Sequence, residues 1–217
     1  MRARIVCVLL LASACGARQK PESALPAHTA AGVLLPTDDL GPPFMVEQRL
    51  HGHYGERDVS LDCVVQLQEG TLTVVGLTPF GSRAFVIEQR GTAVRFEKFV
   101  DRKVPFEPVH VLYDLHRVFF RGLKGPLSDG VHEGQDAGEL VRERWAGGHI
   151  VERRFESLEG PASNMVVVAF QGAPAPVVAP HVKLTNIAFG YTLEIENSEQ
   201  KQLAPSYTLE VESGSGS

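Results

Sequence analysis

Apolar and polar residues alternate along most of this chain. FMVEQRLHGHYG, residues 44–55, alternates loosely. VSLDCVVQLQEGTLTVVGLTP reads as two strands around Glu69-Gly70, with Cys63, Val65 and Leu67 sharing a face, and then Leu72 and Val74. After a turn at Thr78-Pro79-Phe80-Gly81 comes RAFVIEQ, where Phe85 and Ile87 fall together. Arg90-Gly91 then turns into TAVRFEKF, where Val94 and Phe96 do. Short strands joined by tight turns predict an antiparallel meander.

The period then changes. Pro105 and Pro108 punctuate the chain, and VHVLYDLHRVFFRGL follows. Val111, Leu112, Leu115, Val118 and Phe119 recur at helical spacing, which predicts an amphipathic helix over about 108–121. Pro108 suits its first turn and Gly122 its end. With the apolar stripe facing inward, Asp114 and Arg117 are expected to be solvated.

Strands resume in ELVRERWAGGHIVERRFESL, a hairpin turning at Ala146-Gly147-Gly148. Its Arg142, Arg144, Arg153 and Arg154 alternate with Glu143 and Glu152, as in a solvated, cross-strand-paired hairpin. NMVVVAF, 164–170, is apolar on both faces, as a well-covered strand is. HVKLTNIAFGYTLEIEN gives Val182 and Leu184, a bend at Asn186–Gly190, then Tyr191, Leu193 and Ile195. SYTLEVE either adds an edge strand or trails off. The pattern predicts a mainly β, α+β fold: one antiparallel sheet large enough to curl, its concave apolar face covered by the single helix.

Composition fits a globular domain. Of 217 residues, 43% are hydrophobic and 22% charged. The formal charge of −5 argues against nucleic acid as a partner. The first residues stand apart. Arg2 and Arg4 precede an apolar run from Ile5 to Ala12, and Ser13-Ala14 lead to Cys15. This is the layout of a secretory signal, too short to span a bilayer. The small residues ending on Cys15 resemble the bacterial lipobox, with Ala12 where Leu is preferred. That resemblance implies cleavage before Cys15 and its acylation. An ordinary secreted protein with an incidental cysteine is the competing reading. Loss of residues 1–14 leaves 19 basic and 26 acidic residues, a charge of −7, so attachment to anionic lipid would rest on the acyl chains. Residues 16–43 read as a tether with a short packed piece at Val33–Leu35, and SGSGS at the C-terminus as a low-complexity tail. The organisation expected is a signal (1–14), a lipidated Cys15 with tether (15–43), a domain (44–211) and a tail (212–217).

Two motifs carry a family resemblance. One is Leu112, Asp114, His116 and Phe120 on the helix. The other is Asn186, Gly190, Tyr191, Leu193 and Ile195 on the late strand. In this order, over about residues 45–197, they resemble a family of uncharacterised bacterial lipoproteins that looks related to the LolA/LolB lipoprotein carriers. The chain departs from it at Phe119-Phe120-Arg121, where Trp-Pro is common, so no residue-level role is carried across. The resemblance implies an open half-barrel whose concave face holds acyl chains, of a lipoprotein or another lipid-like cargo, with the helix and loops as a lid. It implies an envelope location. Gly16 after the cysteine resembles the pattern for the outer membrane, facing the periplasm.

The inward apolar positions are therefore the candidate groove: Val74, Phe85, Ile87, Phe96, Leu112, Leu115, Phe119, Tyr191 and Leu193. Sequence does not separate a filled core from a cavity lining, since both need apolar atoms facing inward. A filled core would make the protein a structural or interaction lipoprotein, docking another envelope protein. An enzyme has the least support. G-x-S-x-G and G-x-x-x-x-G-K-[ST] are absent, and Cys63 sits at an expected inward position. His51-x-His53 share a strand face, but exposed strand histidines outweigh a metal pair there. No cofactor or metal is expected.

Overall fold

A computed structural model of the chain describes residues 32–101, 107–125, 128–158, 165–172 and 177–204. The expected signal segment, Cys15, SYTLEVE and the C-terminal SGSGS lie outside these residues.

The expected meander is present, in two arms. β1 (Phe44–Tyr54), β2 (Arg57–Gln68), β3 (Thr71–Leu77), β4 (Arg83–Arg90) and β5 (Ala93–Lys98) pair in chain order. So do β6 (Gly130–Asp136), β7 (Glu139–Ala146), β8 (His149–Ser157), β9 (Met165–Gln171), β10 (His181–Asn186) and β11 (Tyr191–Gln202). The arms join where β1 pairs β11, from Phe44↔Gln202 to Tyr54↔Tyr191. The result is one 11-stranded antiparallel sheet with β5 at one edge and β6 at the other. A twisted sheet of this width curls. The chain must pass from the β5 edge to the β6 edge, and α1 (Pro108–Phe119) makes that passage across the concave face. This is a mainly β fold, an open half-barrel covered by one helix.

Three features differ from the sequence expectation. β6 was not expected: GVHEGQD has no apolar alternation because it is an edge strand, paired only to β7. Charged and polar edges of this kind resist pairing with other chains. β11 runs on through a polar end, where Gln200 Oε1 accepts the backbone N–H of Val177 (3.2 Å) and Val178 (2.9 Å). The helix stops at Phe119, two residues short of the predicted end.

The tether reading also needs extending. Leu34 and Leu35 pack against the core, and Leu40 is buried. Between them Thr37 Oγ1 donates to Gly70 O (2.6 Å) and accepts from Gly91 N (2.9 Å). Residues 32–40 thus form a strap over the loop ends of β2–β5.

Alternation places one face of each strand inward. Two packed clusters result. One joins β1–β4 to Leu112 and Leu115 of α1, and Cys63 lies within it as expected. The other joins β7–β11 to Val118. Gly122, just past the helix, lies where a Cβ would come within 2.5 Å of the Arg153 guanidinium and the Glu143 carboxylate. Only glycine lets the chain leave α1 so close to β7 and β8.

Candidate functional site

Between the clusters the interior is not filled. A cavity of about 410 Å³ lies between α1 and the concave face, within the range of small-molecule sites. β2 contributes Val59, Leu61 and Cys63, β3 Val74, and β4 Phe85. The helix contributes Val111, Leu115, Val118 and Phe119, and β11 contributes Tyr191, Leu193 and Ile195. One wall depends on a glycine. A Cβ on Gly76 would come within 2.2 Å of the Phe85 ring, so its absence lets that ring lie over β3. Phe44 stacks on the lining residue Phe119, ring centroids 5.5 Å apart.

Of the nine groove candidates, Val74, Phe85, Leu115, Phe119, Tyr191 and Leu193 line the cavity. Ile87 and Leu112 do not: both are fully buried in the first cluster, filling the interior rather than facing the space. Phe96 does not either. It sits on edge strand β5, 38% exposed, with its ring 6.2 Å from Phe85. The sequence reading missed Leu50, Val59 and Leu61, whose loose alternation was the available signal. It also missed Phe189, a lone aromatic in a bend.

The helix has no solvated face. Asp114 and Arg117, expected outside, are 5% and 3% exposed. Asp114 accepts hydrogen bonds from Tyr191 Oη, Arg117 Nη1 (3.2 Å) and Asn186 Nδ2 (3.4 Å). Asn186 Oδ1 accepts from Phe189 N (3.1 Å), which fixes the bend and sets Phe189 against His110, ring centroids 4.6 Å apart. The two motifs that carried the family resemblance therefore meet at Asp114, Asn186 and Tyr191, and Asp114 and Tyr191 lie on the cavity wall. Burial pushes the Asp114 carboxyl up, against the pull of Arg117 and its hydrogen bonds. Burial, then the neighbouring Asp114, pushes the Tyr191 phenol up.

From Asp114 the network continues away from the cavity. Arg117 Nη2 meets Glu139 (2.9 Å). Arg121 bonds Glu139, and its Nε reaches Asp136 Oδ2 (3.1 Å). Arg153 Nε meets Glu143 Oε1 (2.6 Å), and Trp145 Nε1 donates to Glu143 Oε2 (2.9 Å). The hairpin expected to be solvated thus turns Glu143 and Arg153 inward, while Arg142 and Arg154 stay on exposed pairs. Burial holds the Arg153 guanidinium below its ordinary value, against Glu143. The guanidiniums of Arg117, Arg121 and Arg153 all lie within 6.0 Å of the Phe155 ring centroid. Mutually satisfied charges of this kind contribute register more than stability. Here they fix α1 against β6–β8, and so hold one wall of the cavity.

The remaining candidates are engaged or inert. Burial, then Asp62, pushes the Cys63 thiol up to about 12, the opposite of what a nucleophile needs. Its Sγ faces Gln48 Oε1 at 3.6 Å. His51 bonds Ser60 and His53 bonds Asp58 across β1–β2. Among the described residues no three His, Cys, Asp or Glu side chains group as metal ligands would, and no helix is long and apolar enough to cross a membrane.

Comparison with known proteins adds the following. A LolA superfamily protein from Nitrosomonas europaea aligns at TM-score 0.48 and 11% identity, over 75% of this chain and 87% of its own. A domain from Vibrio parahaemolyticus, provisionally named an outer membrane lipoprotein-sorting protein domain, aligns at TM-score 0.49 and 12% identity, over 77% and 88%. At these scores neither alignment bears on what this chain binds. Curated protein sequences give no match. The family model "Protein of unknown function (DUF3261)" matches residues 45–199, from the start of β1 into β11, and the chain belongs to that family.

Proposed function

We propose that this protein is a lipid-anchored envelope protein that holds an acyl-bearing molecule, a lipoprotein or another lipid-like cargo, in the groove beneath α1. The carrying observation is the unfilled apolar cavity of about 410 Å³ bounded by Leu115, Phe119, Val74 and Phe85. Acyl chains partition into such a space at about 0.8 kcal/mol per buried methylene. The reading is one of binding or transfer, with no bond made or broken. Displacement of α1 would open the groove.

A structural lipoprotein would need the interior filled, as Ile87 and Leu112 fill it on one side. The remaining space favours cargo.

Cys15, acylated, would attach the mature chain to the outer membrane on its periplasmic side, with the residues between Cys15 and the strap as the tether.

Two measurements test the proposal. Displacement of a fluorescent fatty acid from the purified mature chain reads groove occupancy, and an interior that excludes every acyl probe overturns the carrier reading. Membrane fractionation of a Cys15→Ala variant reads the anchor. Release to the soluble fraction is expected, and unchanged membrane association refutes acylation at Cys15.

A further inference from the structure

The cavity is not uniform along its length, and its two ends differ in kind. Toward Phe119 the lining is apolar. Its one amide, Gln48, is spent on Asn197 Oδ1 at 2.7 Å and on Cys63. The other end lies at the β1–β2 hairpin and the N-terminus of α1. Alternation puts Arg57 on the same face of β2 as Val59, Leu61 and Cys63, and all four line the cavity. Glu107, the residue before α1, lines the same end, and its side chain makes no cap hydrogen bond. Arg57 and Glu107 are both exposed, and neither has an ion-pair partner among the described residues. His53, also at this end, is held by Asp58, and His110 is stacked on Phe189. A cation and an anion, neither with an ion-pair partner among the described residues, thus flank the mouth of an apolar slot.

Size limits the tail. At about 410 Å³ the cavity lies toward the small end of ligand pockets, roughly 300–1,000 Å³, a size that suits a single-chain amphiphile.

Resting on the acyl-binding reading above, we infer that the groove is a site for a single-chain zwitterionic amphiphile. Its tail runs toward Phe119, its anionic group lies at Arg57, and its amine lies at Glu107. A lysophospholipid with an ethanolamine head has this chemistry.

The test uses the mature chain with Cys15→Ala and four fourteen-carbon competitors against a fluorescent fatty acid, each below its micelle concentration. They are myristoyl lysophosphatidylethanolamine, myristate, tetradecyltrimethylammonium and tetradecanol. The lysophospholipid is expected to compete at the lowest concentration. Arg57→Gln should weaken it and myristate by about two- to fivefold, the range for exposed ion pairs, and leave the alcohol unchanged. Glu107→Gln should weaken the lysophospholipid and the ammonium compound by about the same factor, and leave myristate unchanged. Native mass spectrometry should show one lipid per chain. Equal potency of all four heads, variants without head-dependent effects, or two lipids per chain would overturn this inference and leave acyl binding standing. No displacement by any compound would overturn both.

Discussion

His116 Nε2 on α1 donates its proton to Gln89 Oε1 on β4 at 2.8 Å, with both side chains fully buried. The tautomer is fixed by the other ring nitrogen, since Nδ1 accepts the Leu35 backbone N–H at 3.2 Å. Gln89 Nε2 in turn donates to Leu35 O (2.7 Å) and Gly91 O (2.8 Å). One imidazole and one amide therefore join the helix, the sheet and the strap. The segment that leads toward Cys15 is tied to the helix that covers the groove.

This junction makes stability depend on pH. Burial first, then Arg121 and Arg117, lowers the His116 pKa from 6.5 to about 3. The unfolded chain takes up a proton near 6.5 that the folded chain refuses. The contribution is fully present above 6.5 and is lost as pH falls from there toward 3. Asp114, shifted up, acts in the opposite sense at the acid end. Urea midpoints of the wild type are expected to fall across this window. In His116→Gln that slope should flatten, and an unchanged slope would show that the imidazole is not the responsible group.

Gly76 is expected to control the shape of the groove. An alanine there would place its Cβ inside the Phe85 ring position. Gly76→Ala should cost about 1–3 kcal/mol, as overpacked cores do, and should change fatty-acid affinity as the ring is displaced into the cavity. Chemical denaturation and probe titration on the same preparation would separate the two effects. Full stability with unaltered binding would remove Phe85 from the groove wall.

Arg121 has no exposed side-chain surface and faces both Glu139 and Asp136. Arg121→Met leaves part-buried Asp136 without its cation and buried Glu139 with Arg117 alone. A loss of about 3–5 kcal/mol is expected, measured by urea unfolding. An Arg121→Met, Glu139→Met double variant should recover part of that loss. If it does not, the pair is not the source of the cost.

Cys63 is expected to resist thiol reagents while the chain is folded, because its thiol is buried and pushed up to about 12. In a Cys15→Ala background, its modification rate at pH 8 should rise with urea in step with unfolding. Rapid reaction in the absence of denaturant would mean that the groove opens as far as Cys63 in the native state.

The sheet and the helix were legible because each has a local signature. Leu67, Leu72 and Leu193 alternate with polar neighbours, and Leu112, Leu115 and Phe119 recur at helical spacing. β6 was not legible, since an edge strand without a buried face needs no apolar pattern. The buried network was hidden for another reason. Asp114 and Asn186 lie 72 positions apart in the chain, and Arg121 and Glu139 lie 18 apart. A charged residue opposite an apolar stripe reads as solvated until the strand that covers it is known.

The same limit applies to the groove. By itself the sequence determined which side turns inward in the strands that alternate and along the apolar stripe of the helix, because a side chain's direction follows from the local backbone period. It also determined that the inward face is greasy over most of the chain. Only the tertiary structure decided which inward residues meet other atoms and which meet open space. Leu112 and Leu115 share one stripe and one core cluster, yet of the two only Leu115 also borders the cavity. That difference depends on how far the curved sheet stands from the helix at each point. The distance is set by long-range pairing of β1 with β11 and by the buried charges that hold α1 against β6–β8, and no local pattern contains it.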